Sequence, residues 1–245
     1  MIVTITMNPA LDKSTRVDKL APEKKMRCGE MITEAGGGGI NVSKAIKKLG
    51  GDSIAIFPSG GMNGKRIEEY LGAQGINFRT IPIEEETREN IVISESETNA
   101  QFRFVLPGAE IGQLEAEACL KMLSEMNPSP TYIVASGSLP PGLTGQFFSD
   151  LAKLAKKLKS RYIIDTSGEP LQMAAKEGVF LLKPNLGELS ALVGKEQLEL
   201  NQVDVAALDG GIWRGEIDIF EDAEARLLLL EGKQAFDPFG RDDDH

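Results

Sequence analysis

Histidine is almost missing from this sequence: of 245 residues, only His245 carries an imidazole. That excludes Ser-His-Asp and Cys-His catalysis, and any zinc site built on histidine. Cysteine is nearly as scarce, with Cys28 and Cys119 in unrelated contexts. Two thiols without a motif read as small buried hydrophobes in a reducing compartment, so the expected location is cytoplasmic. No run of about 18 apolar residues occurs, which excludes a transmembrane helix. Met1–Met7 has no basic residue ahead of its apolar stretch and reads as a core strand, not a signal peptide. Positive charge is also in deficit, with 27 Lys and Arg against 37 Asp and Glu for a net charge of -10. A surface of that sign suits neither nucleic acid nor an anionic membrane. The chemistry therefore falls to carboxylates, backbone amides, lysine and arginine.

What is present alternates. Tyr132–Ala135 and Tyr162–Ile164 are short apolar runs of the buried-strand kind. Between them Phe147, Phe148, Leu151, Leu154, Ala155 and Leu158 recur at helical spacing. A helix is predicted over Leu171–Lys176 and a strand over Val179–Leu182. Asn185, with Glu188 three residues on, predicts a capped helix start. This βαβα rhythm predicts an α/β fold with a mainly parallel sheet covered by helices. In the first half, Val42, Ala45, Ile46 and Leu49 predict one helix face, closed by Gly50-Gly51. Thr15–Val17, Ile91–Ser94 and Gln101–Leu106 are β-rich and interrupted by polar residues, which predicts a half-exposed antiparallel sheet beside the main one.

Six segments carry polar groups where chemistry is expected. In Ala35-Gly36-Gly37-Gly38-Gly39-Ile40-Asn41, four glycines run into a helix. Bare backbone amides at a helix N-terminus bind anions and hydroxyls, although a flexible surface loop has the same composition. Asp12, in Asn8-Pro9-Ala10-Leu11-Asp12, follows the first strand; it accepts hydrogen bonds from sugar hydroxyls or stabilises a turn. Lys25, Arg27, Arg88 and Arg103 are dispersed cations, each suited to a phosphate clamp or to solvent. Ser136-Gly137-Ser138-Leu139-Pro140-Pro141-Gly142, Asp165-Thr166-Ser167-Gly168-Glu169 and Lys183-Pro184-Asn185-Leu186-Gly187-Glu188 each follow a predicted strand. Asn185 and Glu188 suit the waters of a hydrated Mg2+ as well as a helix cap.

Taken together in this order, these motifs resemble the PfkB (ribokinase-like) carbohydrate kinases, and within them the branch acting on fructose 6-phosphate, fructose 1-phosphate and tagatose 6-phosphate. The resemblance covers residues 1–205. It implies ATP with Mg2+ as the cofactors and a ketose phosphate as the acceptor. It implies that Asp12, Gly37, Gly38 and Asn41 hold sugar hydroxyls, while Lys25, Arg88, Arg103 and Ser138 meet the substrate phosphate. Lys183 would contact nucleotide phosphates, and Asn185 and Glu188 would organise Mg2+ through water. The half-exposed strands, at about 12–34 and 88–106, would form a β lid that pairs two subunits in a homodimer.

The resemblance also implies a catalytic Gly-Ala-Gly-Asp segment, in which the Asp takes the proton of the attacking hydroxyl. No Gly-x-Gly-Asp occurs in the 245 residues, so no catalytic residue is assigned. The composition breaks near residue 208. Residues 209–245 hold 11 acidic and 4 basic residues, together with the only Trp and the only His. The expectation is an incomplete ribokinase-like domain over 1–208 and a divergent acidic tail over 209–245, produced by a shifted or disrupted reading frame. A non-catalytic sugar-phosphate-binding or dimerising remnant is the alternative function.

Overall fold

A computed structural model describes residues 1–195 of the chain. The first half runs β1 (Ile2–Ile5), β2 (Ala10–Val17), β3 (Ile32–Gly36), α1 (Gly38–Lys48), β4 (Ser53–Ser59), α2 (Gly61–Ala73), β5 (Asn77–Pro82), β6 (Glu89–Glu95) and β7 (Gln101–Val105). It continues with α3 (Gln113–Ser124), β8 (Tyr132–Ser136), α4 (Gln146–Leu158), β9 (Arg161–Asp165), α5 (Gly168–Glu177), β10 (Leu181–Leu182) and α6 (Leu186–Leu192). Two compact units divide the chain, 1–182 and 183–245.

The first unit is built on a six-stranded sheet in the order β10-β9-β8-β1-β4-β5. Every pairing in it is parallel. β1 lies at the centre, hydrogen-bonded to β4 and β8, and its Val3, Thr4 and Ile5 are all buried. A central parallel strand covered on both faces needs such a run. The helix following β8 buries Phe147, Phe148, Leu151, Ala152 and Ala155, the face its spacing predicts. The capped start at Asn185 also forms: its side chain accepts from the Glu188 amide at 2.9 Å, and Glu188 accepts from the Asn185 amide at 2.8 Å.

Four expectations need correction. The second sheet, ordered β3-β2-β6-β7, is mixed: β2 pairs antiparallel with β3 but parallel with β6. A long connection between β2 and β6, rather than a hairpin, sets that direction. Helix α1 buries Gly39, Ile40 and Ser43, whereas Ala45 and Leu49 are exposed. Ser43 can face the core because its hydroxyl bonds Thr4 at 2.7 Å and Ser53 at 2.8 Å, which removes the penalty of burying it. Gly50, at φ 83, still closes the helix as predicted. Of the two thiols, Cys119 is buried and its thiol is pushed up to about 12 by desolvation, but Cys28 is exposed. Finally, β10 holds only Leu181 and Leu182 of the predicted strand.

Candidate functional site

The glycine run joins β3 to α1, and contacts on every side hold it. A Cβ on Gly36 would lie 2.0 Å from Asp12 Oδ2, and one on Gly38 would lie 2.3 Å from Ser136 Oγ. One on Gly39 would meet the Ile5 carbonyl oxygen at 2.4 Å. Gly37 sits at φ 118, where side chains are strained, and its Cβ would strike Thr6 Cγ2 at 2.5 Å. The segment is therefore a close-approach strip, not a slack loop. α1 has no side-chain cap from its own N-cap residue, Gly37. Thr6 supplies one from a neighbouring segment, its Oγ1 accepting from the Ile40 amide at 2.8 Å. The preceding first-turn amides, Gly38 and Gly39, have no intrahelical acceptor and give this end its partial positive charge.

Asp12 lies on β2, in the second sheet, not at the end of a strand of the main one as the sequence reading had it. It is paired across strands with Glu34 on β3 and Asn90 on β6. Asn90 Nδ2 donates to Asp12 Oδ1 at 2.8 Å. Burial raises the Asp12 carboxyl above its ordinary value, with Glu34 adding to the rise. The Asn90 hydrogen bond and the charges of Arg88 and Lys44 oppose it.

Arg88 stands just ahead of β6 and donates to three backbone carbonyls: Pro9 at 3.4 Å, Leu106 at 3.1 Å and Asn8 at 3.1 Å. Burial pulls its guanidinium below the ordinary arginine value, and Asp12 opposes that. A guanidinium has five donors, so two N–H groups remain for an anion.

These contacts close into a ring. Arg88 reaches Asn8, whose Nδ2 donates to Ser138 Oγ at 3.1 Å. Ser136, two residues back, abuts Gly38; Gly36 abuts Asp12; and Asp12 feels the Arg88 charge. Asp12, Gly38, Arg88 and Ser138 are thus linked through Asn8, Gly36 and Ser136 in one chain of neighbours, with Gly37 between Gly36 and Gly38. Asn41 is exposed in the first turns of α1, its amide bonded to the Gly37 carbonyl at 2.9 Å. Arg103, on edge strand β7, projects on the same face of the second sheet as Asp12 and Asn90, since Asn90 pairs with Val105 two residues along. Arg103 donates to Gln101 at 3.1 Å and is exposed. Lys25 and Arg27 lie in the exposed connection between β2 and β3. The sequence assigns no role to Lys44, nor to Asn8 and Asn90 within their motifs; all three acquire one only through neighbours brought by other elements.

Lys183, Asn185 and Glu188 belong to the second unit. Asn185 Oδ1 and Glu188 Oε2 are taken by the helix cap, leaving the second carboxylate oxygen of Glu188. Among the described residues no group of three His, Cys, Asp or Glu could enclose a metal. This donor set fits a hydrated divalent cation held through water, not an all-protein cage. Among the described residues no helix is long and apolar enough to cross a membrane. Residues 209–245 lie outside the described part.

Residues 1–211 match the model of the pfkB family carbohydrate kinases. The ATP-dependent 6-phosphofructokinase isozyme 2 of Mycobacterium tuberculosis is 46% identical over 197 residues, 80% of this chain. The chain spans 58% of the length of that relative. A tagatose-6-phosphate kinase of Staphylococcus epidermidis is 31% identical over 238 residues, 96% of this chain and 74% of the relative. The crystal structure of phosphofructokinase-2 from Escherichia coli in complex with fructose-6-phosphate superposes with a TM-score of 0.80 at 38% identity. That match covers 85% of this chain and 69% of the other.

Proposed function

The chain belongs to the pfkB family of carbohydrate kinases, and from that premise we propose that it serves the ATP-dependent phosphorylation of a ketose phosphate, with the sugar-phosphate-binding residues in 1–182. The observation that carries this reading is the closed ring of Asp12, Gly36–Gly38, Ser136–Ser138, Asn8 and Arg88. It links one carboxylate acceptor, a helix N-terminus and a guanidinium with two unused N–H groups through neighbouring contacts. Sugar hydroxyls suit the carboxylate and the glycine amides at the helix start, and a phosphate suits the guanidinium. A relative named for fructose 6-phosphate and another named for tagatose 6-phosphate support a ketose phosphate without choosing between them.

In this reading Asp12 orients the sugar by accepting from its hydroxyls. Arg88 takes the substrate phosphate with its two remaining N–H groups, and Ser138 approaches the same phosphate. Lys25 and Arg103 add charge from the second sheet and its connection. Lys183 meets the nucleotide phosphates. Glu188 and Asn185 hold water of a divalent cation, Mg2+ in this proposal, whose charge offsets the negative phosphate oxygens. The second sheet exposes Phe102 and Phe104 on one face, at 39% and 49%. That apolar strip supports pairing of two copies through the lid.

No Gly-x-Gly-Asp occurs in the sequence. General acid–base help is worth about 10²–10⁴ in rate, so binding of fructose 6-phosphate and release of ADP are measured as separate properties of this chain. Thermal shift with fructose 6-phosphate and fructose 1-phosphate, beside a coupled ADP-release assay, tests both parts. Stabilisation without any turnover moves the assignment to a non-catalytic sugar-phosphate binder. No stabilisation by either sugar phosphate overturns the site.

A further inference from the structure

Asn90 is half-buried on β6, an inner strand of the second sheet, and uses one end of its amide. Its Nδ2 donates to Asp12 Oδ1 at 2.8 Å, while its own Oδ1 is buried with no donor in reach. A buried amide placed for packing normally finds partners at both ends. The unpaired oxygen has a chemical reason here. Turning the amide over would set Oδ1 against the Asp12 carboxylate, acceptor against acceptor. As long as Asp12 is ionised, the amide is locked in the orientation that satisfies the aspartate and leaves itself short. The Asp12 carboxyl lies over the bare Cα of Gly36, the first residue of the glycine run, with Oδ2 nearer than Oδ1. One carboxylate oxygen is thus tied down, and the second lies beside the glycine run.

Building on the sugar-site reading above, we infer that Asn90 is a positioning residue: it fixes the Asp12 carboxylate so that Oδ2, not Oδ1, is offered to the sugar hydroxyls. The amide also favours the charged form of Asp12 over the neutral one, since a carboxylate that accepts a hydrogen bond is the better acceptor. The other charged groups facing Asp12 are Arg88 ahead of β6, Lys44 on α1 and Glu34 on β3. The first two favour ionisation and the third opposes it. Asn90 is the neighbour that does so by a directed bond, and the only one of the four that carries no charge of its own. Sugar binding should therefore depend on Asn90 without Asn90 touching the sugar.

The test uses the full chain and two variants, Asn90→Leu and Asn90→Asp. Fructose 6-phosphate affinity is followed by calorimetry across pH, and the Asp12 carboxyl titration by carbon-13 NMR without ligand, assigned against Asp12→Asn. In Asn90→Leu the Asp12 titration should move upward and the acidic limb of binding should move with it. Affinity at neutral pH should fall by about tenfold, the loss of one hydrogen bond to a charged group. In Asn90→Asp two carboxylates share the position. Affinity should be poor at neutral pH and recover on acidification, where one shared proton restores a donor to Asp12. An unmoved Asp12 titration in Asn90→Leu overturns the inference, even if affinity drops. A binding profile for Asn90→Asp with the wild-type acidic limb overturns it too, and decides the matter if the leucine variant does not fold. If the wild-type chain binds no fructose phosphate, the sugar-site reading has failed instead. The ligand-free titration still decides whether Asn90 governs Asp12.

Discussion

Arg88 shows how one side chain can serve the fold and the ligand together. Three of its donors hold the carbonyls of Asn8, Pro9 and Leu106, so it fixes the segment after β1 against the segment after β7. Arg88→Lys keeps the charge but loses the fork. It should lower stability by about 1–3 kcal/mol, read by denaturant melts, because carbonyls bonded to a cation lose their partner. Phosphate affinity should fall by about tenfold or more in the same variant. Asp12 predicts a pH dependence of definite sign. Its folded value is raised by burial, with Glu34 adding to that and Asn90, Arg88 and Lys44 holding it back. Its ionised form therefore costs stability at neutral pH, and that stability returns as pH falls through the folded value. Sugar binding, which needs the carboxylate, should be lost over the same interval. Calorimetric titration at successive pH values should place the loss above the ordinary aspartate value of 3.8, and Asp12→Asn should flatten it.

At the scale of an element, two glycines with opposite surroundings make a paired prediction. A methyl on Gly39 would meet the Ile5 carbonyl oxygen at 2.4 Å, whereas one on Gly72, in the last turn of α2, would meet nothing within 4 Å. Gly39→Ala should destabilise by about 1–3 kcal/mol, since α1 must lift from β1. Gly72→Ala should stabilise by about 0.5 kcal/mol through helix propensity alone. Thermal melts of the two variants check both signs. The sequence could announce a helix after Gly37, because glycines followed by a periodic segment are a local signal. It could not announce which face that helix buries. Ser43 is buried only because Thr4 and Ser53 arrive from β1 and β4 to meet its hydroxyl, and that is a long-range fact. β4 itself was passed over because Pro58 and its flanking serines mask a buried strand. α2 was passed over because its apolar stripe is thin: only Gly64, Ile67 and Leu71 are buried. Likewise Asp12 and Asn90 stand in separate sequence motifs, and only the fold shows that the two form one rung across β2 and β6.

At the scale of the molecule, the second sheet leaves an apolar surface exposed among the described residues. Phe102 and Phe104 pair in register with Ile93 and Ile91, so all four side chains share one face. Two copies facing each other there would cover them. The proposed pairing predicts that Phe102→Ser/Phe104→Ser sediments as a smaller species than the wild-type chain, and equal sedimentation of the two overturns it. The parallel sheet was legible from its short apolar runs. The mixed direction of the second sheet was not, because direction depends on how the chain returns between β2 and β6, and composition does not record that.

The glycine strip is also where the two sheets come within backbone reach of each other, Gly36 resting on the second and Gly37–Gly39 on the first. It works as the fixed jaw of a calliper. Any remote substitution that widens the gap between the sheets by a fraction of an ångström should register as weaker sugar affinity, though it touches no ligand. Conversely, a bound ligand should tighten the whole inter-sheet seam, and hydrogen exchange along β2 and β3 would record it.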